Sequence, residues 1–151
     1  MKKLIENQDK NKILKLASDL DNDLELKNEN KLISYFTDDC KIEMLGIKLE
    51  GRNELKKWLN WFFQMFEIIR FEPIVIMVEN NTFFEEFFIR GTLKNGKSTN
   101  VKVAEVLEYQ NYKIRSLRLY LDRLEFGSII DGFFSKKLIN FIKKRSLKGL
   151  I

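Results

Sequence analysis

The apolar positions of this chain change period about halfway along it. Over residues 7–27, Ile13, Leu14, Leu16, Ala17, Leu20 and Leu24 recur at helical spacing with polar residues between them, which predicts an amphipathic helix with one buried stripe. Asn28-Glu29-Asn30 breaks it, and Lys31 to Phe36 predicts a short second helix followed by a turn at Thr37-Asp38-Asp39. Cys40 to Leu49 alternates only in part and is interrupted by Gly46, which predicts a bent strand pair. A third helix follows from about Asn53, its expected N-cap, to Phe66. It is apolar round much of its circumference (Leu55, Trp58, Leu59, Phe62, Phe66) and so is expected to be sandwiched.

From residue 68 onward the period is two. Ile68–Val78, Thr82–Leu93, Ser98–Tyr109 and Tyr112–Leu121 predict four strands. Asn80-Asn81, the Asn95-Gly96 pair and Gln110-Asn111 separate them, and Pro73 marks the first as an edge strand or a bulge. Helices followed by an antiparallel meander predict an α+β domain with helices packed on one face of a sheet. Residues 127–151 predict a basic amphipathic helical extension to a domain spanning 1–126.

Composition narrows the chemistry. The 151 residues contain no histidine and a single cysteine, Cys40. This excludes His-dependent nucleophilic triads, His-based zinc sites and an intrachain disulfide. No Gly-rich phosphate loop is present, so neither metal nor cofactor is expected, and any general base is a carboxylate, a lysine or a tyrosine. The net charge is +5, but six basic residues and no acidic one follow Asp131, which leaves residues 1–131 close to neutral. Nucleic-acid binding across the domain is therefore not expected. The chain starts without an apolar leader and holds no membrane-spanning run, so a cytoplasmic location is expected. For the basic extension, a helix covering a sheet face or a dimer seam is favoured over a membrane-surface contact.

Candidate chemistry lies on the strands. Phe84, Glu86, Phe88 and Arg90 share one face of their strand, and Phe83, Glu85, Phe87 and Ile89 the other. Glu105 is the one charge among Val101, Val103, Leu107 and Tyr109. Arg118, Tyr120 and Asp122 alternate with leucines. If the sets holding Glu86, Glu105 and Asp122 all face inward, Asp122, Glu86, Glu105 and Tyr120 form a catalytic group. Arg90, Phe84, Phe88, Trp58, Phe62 and Phe66 would then line the substrate pocket. A carboxylate in an apolar wall titrates high and can serve as acid or base near neutrality. Each residue also has a structural role open to it. Asp122-Arg123-Leu124-Glu125 has capping-box spacing, Glu86 and Arg90 can pair, and the three aromatics of the third helix can be core.

The order of these elements resembles the SnoaL-like polyketide cyclase family of the NTF2-like superfold, related to ketosteroid isomerase and limonene-epoxide hydrolase. Leu49-Glu50-Gly51-Arg52, Ile89-Arg90-Gly91-Thr92, Glu105–Tyr109, Lys113-Ile114 and Tyr120-Leu121-Asp122 carry the resemblance over residues 10–126. It implies a cone with a strongly curved, mostly antiparallel sheet, a pocket for a small hydrophobic molecule, and a homodimer. In the epoxide-hydrolase branch two acids work with an arginine, a tyrosine and an asparagine. Glu86 and Asp122 fall near the acids, but Phe84 replaces the arginine, and Ile42 and Met44 replace the other two. Three readings stand: a cofactor-independent cyclase, isomerase or hydrolase; a non-catalytic carrier of an apolar ligand; and a dimerisation module.

Overall fold

A computed structural model describes residues 6–130 and 133–150. Helices α1 (Lys10–Glu25) and α2 (Glu29–Ser34) precede strands β1 (Phe36–Met44) and β2 (Ile47–Glu50). Helix α3 (Arg52–Met65) leads into β3 (Phe66–Glu79), β4 (Thr82–Leu93), β5 (Ser98–Gln110) and β6 (Lys113–Leu121), and α4 (Arg123–Ile130) and α5 (Phe133–Ser146) follow. The strands form one six-stranded sheet in the order β2-β1-β6-β5-β4-β3. Only the β1–β6 pairing is parallel. The architecture is the expected α+β one.

Local chemistry accounts for the element ends. The Asp9 side chain accepts a hydrogen bond from the Lys12 amide at 2.7 Å and caps α1. Gly51, not Asn53, occupies the N-cap of α3, because its φ of 86° lies where a side chain is disfavoured and the chain must turn sharply there out of β2. Thr37-Asp38-Asp39, expected as a turn, lies inside β1; the β1–β6 register shifts between Phe36 and Lys41, so the turn-forming residues sit at a bulge. At Gly91 the β3 backbone comes so close that an added Cβ would stand 1.9 Å from the Ile68 carbonyl oxygen, which explains why this strand position has no side chain.

The core lies between the helices and one sheet face. Ile13, Ala17, Leu20 and Leu24 of α1 and Leu55, Trp58, Leu59 and Phe62 of α3 are buried. They meet Ile42, Phe83, Leu107, Ile114 and Leu117 of the sheet in one cluster. Burying each of these large side chains contributes roughly 1.5–3 kcal/mol. Along β5 every odd-numbered residue from Thr99 to Tyr109 is buried, and the even-numbered ones face the uncovered side. Helix α4 crosses the expected 126/127 division, and Asp122 caps it by accepting from the Leu124 and Glu125 amides at 2.8 and 3.1 Å. No described helix is long and apolar enough to cross a membrane.

Candidate active site

β4 and β5 pair with Glu85 opposite Glu105, Phe87 opposite Val103 and Ile89 opposite Val101. All six side chains point to the helix-covered face, because residues two apart on a strand share a face. Glu85 and Glu105 are 1% and 6% exposed. Helix α1 brings a third acid to them. Asp21 stands four residues after Ala17 and three before Leu24, on the stripe that packs against the sheet. Carboxylate oxygens from Asp21, Glu85 and Glu105 all lie within 4.8 Å of one another.

Among the described residues no cation pairs with this cluster, and Glu85 Oε1 is buried without a hydrogen-bond partner. Burial pushes the Glu85 carboxyl up to about 7. Burial also raises Glu105, and the neighbouring Glu85 raises it further. Asp21 rises through burial and then through the charges of Glu105 and Glu85. Carboxyls this close share protons rather than ionise together. An all-oxygen set of this spacing is also of the kind that closes on a hard divalent cation. Four residues along β5 from Glu105, on the same face, the Tyr109 hydroxyl is buried without a partner. Burial, then the charges of Glu105 and Asp21, raise its pKa and keep it protonated.

Asp23, only two residues after Asp21, is the contrasting case. Burial works to raise it, but it accepts from the Tyr35 hydroxyl at 2.6 Å and pairs with Lys31 at 2.9 Å. Those contacts outweigh burial and hold its carboxyl below the usual value. It is a structural acid.

An apolar cavity of about 30 Å3 lies further along the same face, lined by Phe66, Ile89, Val101, Leu121, Phe126 and Ile129 among others. Its β4–β5 rung, Ile89–Val101, is four residues from Glu85–Glu105, roughly 13 Å along the strands. The Phe87–Val103 rung, with Phe71 packed on Phe87 at a ring distance of 5.7 Å, lies between. Helix α4 supplies Phe126 and Ile129 as the cover of this cavity.

Of the residues expected to converge, only Glu105 joins the buried cluster. Glu86 lies on the opposite face and pairs with Lys102 at 2.6 Å. Phe84, Glu86, Tyr120 and Asp122 do come together, but in an open groove of about 630 Å3 on the uncovered side of the sheet. Tyr120 is 56% exposed there. Arg90 is exposed, pairs with Glu72 at 3.0 Å rather than with Glu86, and lies over the Phe88 ring. Arg118 pairs with Glu108 at 2.7 Å. Trp58, Phe62 and Phe66 are buried in the main core, with the Trp58 indole donating to Met44 Sδ at 2.9 Å. Phe66 also reaches the cavity.

The correction at β4 has a simple cause. Phe-Phe-Glu-Glu-Phe-Phe puts the same residue types on both faces, so composition alone cannot assign parity there. The pairing Glu85 to Glu105 settles it. Two sequence signals could have found the missed acids. Glu85 shares its face with Phe83, Phe87 and Ile89, whereas Glu86 shares its face with Arg90 and Thr92. Asp21 lies at helical spacing inside an otherwise apolar stripe.

Among curated proteins none matches this chain. Solved structures do match in fold. An NTF2-like protein of unknown function from Burkholderia pseudomallei K96243 is 14% identical, with 80% of this chain and 98% of that one covered and a TM-score of 0.73. SalBIII, an epoxide hydrolase/cyclase-like enzyme of pyran ring formation in the polyether salinomycin, is 15% identical over 78% of this chain and 95% of its own, with a TM-score of 0.70. A protein of ketosteroid isomerase-like fold from Catenulispora acidiphila, solved with trimethylamine, is 17% identical over 76% and 91%, with a TM-score of 0.67. A SnoaL-like domain model matches residues 23–117, which hold Glu85 and Glu105 and begin two residues after Asp21, and this chain therefore belongs to the SnoaL-like domain family.

Proposed function

We propose that this protein is a cofactor-independent acid–base catalyst, an isomerase, cyclase or hydrolase, acting on a small apolar molecule through Glu85, Glu105 and Asp21. The observation that carries the reading is the close set of two buried carboxyls and one half-buried one, with no cationic partner among the described residues. Near neutral pH such a set holds protonated and ionised members at once. The ionised carboxylate takes a proton from the substrate or from an attacking water. A protonated neighbour donates one to the developing oxyanion, so the group as a whole neither gains nor loses a proton. Tyr109, rather than the exposed Tyr120, is the additional donor for that oxygen. The apolar cavity supports a hydrophobic substrate, but its small volume and the Phe87–Val103 rung between it and the carboxyls require both α4 and the Phe87 side chain to give way before a substrate reaches Glu85 and Glu105.

The test is turnover on ketone, epoxide and polyketide-like panels with wild type and with Glu105→Gln, Glu85→Gln and Asp21→Asn. General acid–base catalysis predicts a loss of roughly 100- to 10,000-fold in kcat for at least the Glu105 and Glu85 variants. Wild-type turnover in all three variants, or 13C-observed carboxyls titrating at ordinary values, would overturn the assignment.

A homodimer through the uncovered sheet face is proposed alongside it. Val75 and Met77 of β3 are 40% and 56% exposed and lie beside Glu86 and Phe84 on that face, and Tyr120 continues the patch. Sedimentation equilibrium should give twice the chain mass for wild type and the single mass for Met77→Asp. A wild-type monomer at micromolar concentration refutes it.

A further inference from the structure

Helix α5 turns Ile139 toward α4, where its Cδ1 lies 3.6 Å from the position a Cβ on Gly127 would take. Its packing is chiefly on α4. Leu138, Phe141, Ile142 and Arg145 follow at i, i+3, i+4 and i+7, so they form one stripe. That stripe faces away from the body: Leu138 and Phe141 are 61% and 62% exposed, and Ile142 is 40% exposed. Lys144 and Lys148 are exposed beside it. Lys143, Lys144, Arg145 and Lys148 enter no ion pair among the described residues. Within the single chain the helix packs chiefly on α4 rather than over a sheet face, and it presents an apolar stripe set in positive charge.

We infer that α5 docks this protein on an anionic lipid surface, with Leu138, Phe141 and Ile142 entering the headgroup–acyl boundary and the flanking lysines and Arg145 meeting lipid phosphates. Charge selects this occupant. A second copy of α5 would bring two sets of Lys143, Lys144 and Arg145 together, which like-charge repulsion opposes. A nucleic-acid backbone would satisfy the lysines and leave the apolar stripe in water. A bilayer with anionic headgroups satisfies both at once. Docking also sets α4 and the cavity it covers beside the phase in which an apolar molecule dissolves. That consequence rests on the acid–base reading above; the docking does not.

The test is flotation of the full chain with phosphatidylcholine vesicles with and without phosphatidylglycerol. Binding is expected only with phosphatidylglycerol and should weaken as salt rises. Lys144→Gln with Arg145→Gln should weaken it about 30-fold, from the contribution of each basic residue near a charged surface. Leu138→Ser with Phe141→Ser should weaken it at least about 10-fold. These positions are exposed, and an unchanged circular dichroism spectrum would confirm that the variants fold. Four outcomes overturn the docking: no binding to anionic vesicles, equal binding to both vesicles, folded variants that bind like wild type, or Phe141→Ser turning a dimer into a monomer. Nucleic-acid retention that survives Leu138→Ser and Phe141→Ser would assign the basic residues to a phosphate polymer and overturn it as well. The loss of turnover in Glu105→Gln is measured against wild type without vesicles, so the two readings fail separately.

Discussion

The two faces of the β4–β5 ladder carry nearly the same residue types and opposite electrostatics. On the helix-covered face Glu85 and Glu105 stand opposite one another with Asp21 above them and no cation. On the uncovered face Glu86, next to Glu85, has Lys102, and Glu108, three residues after Glu105, has Arg118. The first set is desolvated and titrates high; the second is half-solvated and paired. A displacement of one residue thus separates an acid able to hold a proton at neutral pH from an ordinary surface ion pair. Solvent and partners, not residue type, set the chemistry.

The largest expected effect that sharpens this contrast is the pH dependence of stability. Unfolded glutamate ionises near 4.5 and folded Glu85 at about 7, so between these values the native state binds more protons than the unfolded one. The Glu85 contribution to stability is then greatest below about pH 4.5 and falls as pH rises, by on the order of 3 kcal/mol at pH 7. Glu105 and Asp21, raised in the same sense, carry the decline to higher pH. Urea melts between pH 4 and 9 should show this decline, flattened in Glu85→Gln/Glu105→Gln and retained in Glu86→Gln. A decline that persists unchanged in the double variant would break the comparison.

Next in size is the partnered acid of α1. Tyr35→Phe removes the donor to buried Asp23 and should cost about 1.5–3 kcal/mol in chemical denaturation, since a hydrogen bond to a charged group is lost. Its effect should shrink once Asp23 is protonated at low pH, the opposite trend to Glu85. Asp122→Ala should cost about 1 kcal/mol, the usual loss at an N-cap, and should leave the titration of Glu85 unchanged. Smallest is Lys102→Ala, within about 1 kcal/mol for a half-exposed pair. That figure is for the single chain; a larger loss that grows with protein concentration would place the Glu86–Lys102 pair under the second copy of the proposed dimer.

Much of the fold was legible because its periods are long and unambiguous. The stripe of α1, the Asn-Gly turn before β5 and the alternation of β5 each have one reading, and that alternation puts Glu105 on the apolar face where the structure buries it. Asp122 and Tyr120 were legible as neighbours but not as to which side of the sheet they would occupy. For α5 the apolar and basic positions were plain, whereas their outward orientation depends on Ile139 seating against Gly127.

By itself, then, the sequence determined the order of helices and strands, the near-neutral body with its basic extension, and an acid–base repertoire without histidine, because these follow from local period and composition. Tertiary structure decided which acids meet. The pairing of β4 with β5 chose Glu85 over Glu86, and the docking of α1 added Asp21. Those choices depend on contacts between residues far apart in the chain, and no local pattern in Phe-Phe-Glu-Glu-Phe-Phe distinguishes one face from the other.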